Sequence, residues 1–282
     1  MSVFAGRTLV VATMHGKERV IAPLLEEQLG VRCVVPDGFD SDRFGTFTRE
    51  VARAGDQLAA ARAKARAAMQ LAGADLGVAS EGSFDADPLV PFLMSDRELV
   101  LLCDARSGHE IRGVHRTADT NVAGAWVTSV DEGLAFAERV GFPSHGVIPR
   151  LDEQRAEGLE KSIRTRAELR RAIRALLGRS VGGRIYLETD MRAHRNPTRM
   201  RAIQRATEAL VENATAVCPS CAAPGFSVAD LRRGLPCGWC GVGTDLPLEE
   251  VRRCAPCGAT ASQPSARFGE TADPRYCSSC NP

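Results

Sequence analysis

Four Cys-x-x-Cys pairs near the C-terminus constrain the fold of this chain more than any other feature. Eight of its ten cysteines belong to these pairs, which are Cys218/Cys221, Cys237/Cys240, Cys254/Cys257 and Cys277/Cys280. Two thiolates from one tight turn are the ligand arrangement of structural zinc sites, and eight thiolates suffice for about two four-coordinate ions. This use of cysteine also indicates a reducing compartment, so we expect a cytoplasmic protein.

The sequence leaves open how the four pairs share the zinc. Fifteen residues separate the first two pairs and nineteen separate the last two, and both gaps fit a sequential zinc ribbon. In the alternative, cross-braced arrangement, the first pair joins the third and the second joins the fourth. The tail is poor in apolar residues, so we expect metal to replace a hydrophobic core. Redox chemistry would not explain four pairs.

The first part of the chain alternates predicted strands and helices. Residues 8–12 are typical of a buried strand, residues 18–29 of an amphipathic helix that ends at Gly30, and residues 31–35 of a second strand. This order predicts an α/β fold, with a mixed sheet and crossover helices. We expect three parts: an α/β domain (1–150), a basic helical connector that packs on it (151–215), and a small zinc-ribbon-like tail (216–282).

Residues 74–84 are typical of a buried strand that ends in a turn of small residues. Ser80, Gly82 and Ser83 would let a ligand approach the backbone closely. Glu81 would then be presented at the mouth of the sheet, where α/β proteins bind ligands. The alternative is a tight turn in which Glu81 is merely solvated.

Three motifs of the N-terminal half follow one another as they do in a known enzyme group. They are a loop of small residues ending in lysine (12–17), an Arg/Ala-rich helix (61–65) and the Ala-Asp, Gly, Glu-Gly strand and turn (74–82). On these motifs, residues 8–150 resemble the inosine/xanthosine triphosphatase group of the inosine-triphosphate-pyrophosphatase-like superfamily. Met14 and Ser83 depart from that pattern. The whole chain, with its cysteine tail, looks like an uncharacterised bacterial family of unknown function.

The resemblance implies magnesium-dependent cleavage of a nucleoside triphosphate or a related phosphorylated small molecule, by a pyrophosphatase or phosphatase. Lys17 would neutralise a phosphate, and Glu81 would hold magnesium with further carboxylates such as Asp104. Thr13 from the loop and Arg62 from the helix would contact phosphate. The alternative for Lys17 is an ordinary residue near a helix start.

Residues 188–199 form a second candidate site beside the predicted start of a helix at Asn196-Pro197. Helix N-termini bind anions through free amide groups and the local dipole. The alternative is an ion-pair network that holds the helix against the first domain. The candidate residues are Glu188 and Asp190 for magnesium, and Arg192, Arg195 and Arg199 for phosphate.

Two further functions compete with the enzyme. The net charge of +1 does not indicate a polyanionic partner, and no apolar run is long enough to span a bilayer, so we expect no membrane association. Residues 161–205, however, hold thirteen basic residues against three acidic ones, which favours weak, salt-sensitive nucleic-acid binding. The other alternative is a zinc-stabilised protein-interaction module on a non-catalytic fold.

Overall fold

The computed structural model of the protein describes residues 2–44, 55–87, 90–153, 160–265 and 269–281. Its contacts divide the chain into two units, Met1–Val211 and Glu212–Pro282. Among these residues, two separate sheets lie in the first unit and one lies in the second. Each unit is described by itself below.

The larger sheet of the first unit has five strands in the order β2-β1-β3-β4-β5. The strands are β1 (Thr8–Ala12), β2 (Arg32–Val34), β3 (Leu76–Ala86), β4 (Met94–Asp104) and β5 (Glu110–Thr117). β1 pairs in parallel with β2 and β3, whereas β3, β4 and β5 are antiparallel. The parallel strands are connected through α1 (Glu18–Leu29) and α2 (Gln57–Ala72). The predicted mixed α/β sheet with crossover helices is confirmed.

Helix α2 covers one face of this sheet. Ala61, Ala65 and Ala68 are buried against the strand residues Ala79 and Leu101, among others. Alanine leaves little side chain between helix and sheet, so the two backbones approach closely. The Arg/Ala-rich composition of this helix therefore serves packing on its inner side and ion pairing on its outer side.

The opposite face carries α5 (Pro197–Thr215), which begins at Pro197 as expected. The Asn196 side chain caps it by accepting a hydrogen bond of 3.0 Å from the amide of Arg199. Gly113 of β5 lies directly under this helix: a Cβ atom there would stand 2.1 Å from the carbonyl oxygen of Ala206 and from the amide nitrogen of Leu210. Helix and sheet therefore meet backbone to backbone.

The expected turn at residues 80–83 is wrong, because β3 continues through it to Ala86 and pairs with β4 along its whole length. The small residues serve another purpose. A Cβ atom at Gly82 would lie 2.4 Å from Oε1 of Glu98 and 2.7 Å from Nη2 of Arg199. The glycine therefore marks a place where large side chains cross the strand closely.

The smaller sheet of the first unit has the antiparallel order β6-β8-β7. It is built from β6 (Gly124–Val127), β7 (Val147–Arg150) and β8 (Ile185–Thr189), with α3 (Val130–Arg139) and α4 (Arg166–Arg179). Leu134, Ile173 and Leu187 belong to the separate core that these elements share. A Ser129 cap on α3 and a Thr165/Glu168 capping box on α4 define where both helices start.

The second unit contains a three-stranded antiparallel sheet in the order β11-β10-β9. Its strands are β9 (Ser227–Arg233), β10 (Pro247–Arg253) and β11 (Thr260–Pro264), and they alternate along the chain with the cysteine pairs. Most of their side chains are exposed. Among the helices that the structure describes, none combines the length and apolar content needed to cross a bilayer.

Candidate functional site

The eight paired cysteines form two groups of four, and the grouping is the cross-braced one. In each group the potential ligand atoms all lie within 4.8 Å of one another. One group is Cys218, Cys221, Cys254 and Cys257, and the other is Cys237, Cys240, Cys277 and Cys280. The first pair along the chain therefore joins the third, and the second joins the fourth.

The sulfur separations fit zinc. Four thiolates at a Zn–S distance of about 2.3 Å form a tetrahedron whose edges measure about 3.8 Å. The Sγ–Sγ distances are 3.7 Å for Cys218–Cys257 and 3.6 Å for Cys221–Cys254. In the second group they are 3.7 Å for Cys237–Cys280 and 3.6 Å for Cys240–Cys277. Each group therefore fits one structural zinc ion, and four thiolates leave no position for a substrate.

Backbone amides donate hydrogen bonds to the first cysteine of two of these pairs. The amide of Ser220 donates to Cys218 Sγ at 3.4 Å, and the amide of Trp239 donates to Cys237 Sγ at the same distance. Burial opposes ionisation of Cys218, but hydrogen bonds from the amides of Cys221 and Ser220, together with those from the side chains of Cys254 and Cys257, lower the pKa of this thiol to about 6. Because zinc binds the thiolate, these donors favour metal binding at neutral pH.

The turn that contains Cys218 and Cys221 is followed by a residue, Ala222, whose side chain disfavours the backbone conformation found there. The position after the second cysteine has a left-handed φ of 58° at Ala222, 75° at Gly241 and 73° at Gly258. Glycine adopts this conformation freely, whereas a Cβ atom costs about 1–2 kcal/mol. The first turn is therefore more strained than the second and the third.

Ala222→Gly should accordingly stabilise the zinc-loaded tail by about 0.5–1 kcal/mol. This net gain is the strain that is relieved minus the conformational entropy that the more flexible glycine loses on folding. Chelator-induced zinc loss and thermal unfolding would measure this change. The reciprocal variant Gly258→Ala is the matched control and should destabilise the tail. A tail that is weakened by Ala222→Gly would contradict the assignment of strain.

Lys17, in the β1–α1 connection, is buried and takes part in a second cluster. Only 8% of it is exposed. Its Nζ atom donates to the carbonyl oxygen of Ser80 at 3.2 Å and to Ser80 Oγ at 3.0 Å. Burial, followed by the charge of Arg199, lowers the pKa of Lys17 to about 7. The two hydrogen bonds to Ser80 direct two of the three potential donors of Lys17 at β3.

Two acidic residues of β4 lie close to this lysine. Asp96 and Glu98 are two apart on the strand, so both side chains leave the same face of the sheet. Glu98 Oε1 accepts a buried hydrogen bond of 2.6 Å from Arg199 Nε. Burial, and then the charge of Glu98, raise the pKa of Asp96 to about 8, while Arg199 and Lys17 oppose the shift. We call Lys17, Ser80, Asp96, Glu98 and Arg199 the β4 charge cluster.

The β4 charge cluster contains three carboxylate oxygens that have no hydrogen-bond partner within the described residues. They are both oxygens of Asp96 and the Oε2 atom of Glu98. Asp96 is 1% exposed and Glu98 is fully buried. Buried carboxylate oxygens are normally hydrogen-bonded or bound to a cation, because leaving them bare is costly. The chemistry of this donor set therefore suits a hard cation with its own water ligands.

A family model described as a domain of unknown function, DUF6671, matches residues 64–282. The chain belongs to this family. The matched residues include Asp96, Glu98, Arg199 and all eight cysteines of the two groups, whereas Lys17 lies before them. No curated protein matches the chain. The similarity to an uncharacterised family is thereby confirmed, while the triphosphatase-like resemblance stays a prediction.

Glu81 has a different environment in this DUF6671 protein from the one we expected. It is a buried strand residue, 4% exposed, and its carboxylate forms an ion pair with Lys64 of α2. Gln57 Nε2 donates to its backbone oxygen at 2.6 Å. Because successive strand residues point to opposite faces, Glu81 lies on the α2 side and Gly82 on the α5 side. The prediction that Glu81 is presented at an open turn is therefore wrong.

The other predicted magnesium ligands do not gather around Glu81 within the described residues. Asp104 is at the far end of β4 from Asp96 and accepts hydrogen bonds from Arg7 at 2.6 and 3.1 Å. Glu188 lies 3.4 Å from Arg150. Among the described residues, the two cysteine groups alone bring three or more potential ligands together. The structure therefore does not assemble the expected set of four carboxylates.

The predicted phosphate ligands divide into two groups. Arg62 reaches the start of the edge strand β5, where it forms two hydrogen bonds of 2.7 Å with Glu110. Arg192 is held by Asp190, with Nη2 at 2.7 Å from Oδ2, and Arg195 donates to the carbonyl oxygen of Ile163. Arg199 alone of these arginines reaches into the β4 charge cluster. The ion pair between Arg199 of α5 and Glu98 of β4 is also one that the alternative, a structural network, would provide, because it joins this helix to the larger sheet.

The loop after β1 meets the segment before α5. The rings of His15 and His194 stack with centroids 5.0 Å apart, and His15 Nε2 lies 2.9 Å from Asp42 Oδ1. The buried Thr13 accepts a hydrogen bond of 3.2 Å from the His15 amide. The two candidate sites that the sequence kept separate therefore adjoin in the fold.

Asp96 and Glu98 were missed by the sequence reasoning. The signal available was a pair of acids, two apart, at the start of an otherwise apolar strand, because such a pair points into one face of the sheet. Arg199, the partner of Glu98, lies 101 residues further along the chain. Only the fold shows that the pair is buried.

Proposed function

We propose that this DUF6671 protein is a magnesium-dependent hydrolase of a nucleoside triphosphate or related phosphorylated small molecule, with a tail held by two structural zinc ions. The observation that carries the proposal is the β4 charge cluster, in which three buried carboxylate oxygens without a hydrogen-bond partner among the described residues lie beside a lysine and an arginine. A bound cation would compensate these oxygens.

Asp96 and Glu98 would hold the magnesium. Magnesium prefers oxygen ligands, keeps several of its waters, and commonly binds through one or two carboxylates together with substrate phosphates. When bound, it would polarise a phosphoryl oxygen and position a water molecule. These two residues take the place that the resemblance gave to Glu81, because Glu81 is already paired with Lys64.

The cations of the cluster have separate tasks in this proposal. Within the described residues, Ser80 accepts hydrogen bonds from two of the three donors of Lys17, so the third would be available to a phosphate oxygen. Arg199 is fixed by Glu98 and orients that carboxylate. Lys17 therefore supplies charge to the substrate, while Arg199 acts as a positioning residue.

Asp96→Asn tests the proposal because it keeps the shape of the side chain and removes its charge. The full chain should release phosphate or pyrophosphate from at least one nucleoside triphosphate only when magnesium is present. The variant should lose this activity by about 100-fold or more, the size of a typical loss of charge stabilisation at a reacting phosphate. Asp119→Asn, which alters an exposed carboxylate paired with Arg201, is the matched control and should remain active.

The pH dependence of the free energy of unfolding gives a second test of the Asp96→Asn variant. The pKa of Asp96 is raised to about 8 in the folded chain, so between about pH 5 and 7 the folded state retains a proton that the unfolded state has lost. Without magnesium, the free energy of unfolding should therefore fall as the pH rises, by up to about 1.4 kcal/mol per pH unit from this group. Asp96→Asn should remove that slope, and magnesium should reduce it in the parent.

A parent protein that hydrolyses no triphosphate, or an Asp96→Asn variant with full activity, would refute the proposal that the protein is a hydrolase.

A further inference from the structure

The outer side of α4 is a row of arginines. Leu169, Ile173 and Leu176 point into the core of the smaller sheet. The exposed residues of the helix are otherwise alanine and glycine, and none of them is a large apolar side chain. The exposed arginines are Arg166, Arg170, Arg171, Arg174 and Arg179.

These arginines differ from many exposed arginines elsewhere in the chain. Arg62 pairs with Glu110 at 2.7 Å, Arg205 with Glu208 at 2.8 Å, and Arg232 with Glu249 at 3.1 Å. Within the residues that the structure describes, none of the five α4 arginines forms an ion pair. Within the described part of the chain, the surface of α4 is therefore a place where several exposed arginines lie together without an ion-pairing carboxylate.

The one acidic residue of α4 does not neutralise this row. The carboxylate of Glu168 accepts hydrogen bonds from the amides of Arg164 and Thr165, at 2.8 and 2.9 Å, in the capping box. Like charges four residues apart on a helix disfavour it by about 0.2–0.5 kcal/mol for each pair. The arginines of α4 therefore slightly destabilise the free protein, and an anionic partner would reverse that effect.

We propose that α4 binds the phosphate backbone of a nucleic acid through Arg166, Arg170 and Arg174. Residues four apart on a helix lie on one side, about 6 Å from each other, so the three guanidinium groups form a line that can follow successive phosphates. One guanidinium group can donate hydrogen bonds to two oxygens of a phosphate at once. This site is separate from the β4 charge cluster and does not depend on the hydrolase.

The chemistry of α4 favours a nucleic acid over other anionic partners. A membrane-surface helix needs an exposed apolar side to enter the lipid, and the apolar side of α4 is buried in its own core. A protein interface usually has an apolar or aromatic anchor at its centre, and α4 exposes none. Phosphate contacts alone carry no base sequence, so we expect binding without sequence preference.

The test is fluorescence anisotropy of the zinc-loaded full chain with labelled single-stranded oligonucleotides of about 20 nucleotides, as RNA and as DNA. The α4 variant combines Arg166→Gln, Arg170→Gln and Arg174→Gln, since glutamine keeps the helix propensity. The matched control combines Arg62→Gln, Arg205→Gln and Arg232→Gln, which removes the same charge from paired arginines.

We expect the α4 variant to lose affinity by about 10-fold or more at about 50 mM salt, and the salt slope of log K to become less steep by about two. The control variant should change affinity by less than about 3-fold. Equal losses in both variants would reduce the effect to net charge and overturn the proposal. Parent binding that is absent, or unaffected by the α4 changes, or confined to anionic vesicles or polyglutamate, would also overturn it.

Discussion

Changing Cys254 to serine should release zinc from both cysteine groups and unfold the second unit, while the unit Met1–Val211 stays folded. Serine keeps the size of the side chain but supplies no thiolate. Structural zinc contributes about 10–16 kcal/mol in small zinc-folded peptides, far more than the sparse core of this tail can replace. The loss of one ligand is therefore enough to open its site.

The cross-braced pairing makes the second site depend on the first. Cys237 and Cys240 lie between the two halves of the first site, and Cys254 and Cys257 lie between the two halves of the second. When the first site opens, the second must close a long unstructured loop by itself, which costs conformational entropy. A sequential ribbon would behave differently, because its second site would stay loaded.

Elemental analysis of zinc, together with proteolysis of the tail, would measure this result. The parent should carry about two zinc ions, and Cys254→Ser should carry close to none. Cys33→Ser is the matched control, since Cys33 lies outside both cysteine groups and its burial raises the pKa of the thiol to about 12. A Cys254→Ser protein that retains one full zinc with a folded second site would show that the sites are independent.

The features that the sequence predicted well are those decided by neighbours in the chain. The Cys-x-x-Cys spacing indicates metal because each pair of ligands is made within one turn. Helix α1 was bounded correctly at Glu18 and Leu29, because its apolar periodicity stops at Gly30, which has a φ of 69°. The pairing of the cysteines was left open, since it depends on which turns meet in the fold.

The features that the sequence missed depend on distant partners. Residues 80–83 have the composition of a turn, but eleven consecutive pairings with β4 hold them in a strand. The Ala-rich helix was expected to use Arg62 at the site, yet Lys64 on its inner side is the residue that meets Glu81. Neither result follows from local propensity, because both need the register of the sheet and the position of α2.

The close contact between β5 and α5 predicts a second large effect, a loss of stability when Gly113 is changed. Gly113 lies opposite Val100 of β4, and a Cβ atom placed on it would meet backbone atoms of α5 at 2.1 Å. A flexible side chain could turn aside, but the backbone of a helix cannot move without lifting the whole helix. Since α5 also carries Arg199, its displacement would break the buried pair with Glu98.

Gly113→Ala should therefore destabilise the first unit by about 3 kcal/mol or more, the upper end of the range for overpacked cores. Denaturant unfolding of the full chain would measure the loss as a lower midpoint of the transition that reports on residues 1–211. Gly178→Ala is the matched control: its Cβ atom would meet nothing within 4 Å in the last turn of α4, so alanine should stabilise that helix by about 0.5–1 kcal/mol. Because both variants add the same methyl group, their opposite signs isolate the close contact with α5. A Gly113→Ala protein as stable as the parent would show that α5 does not lie against β5 at this distance.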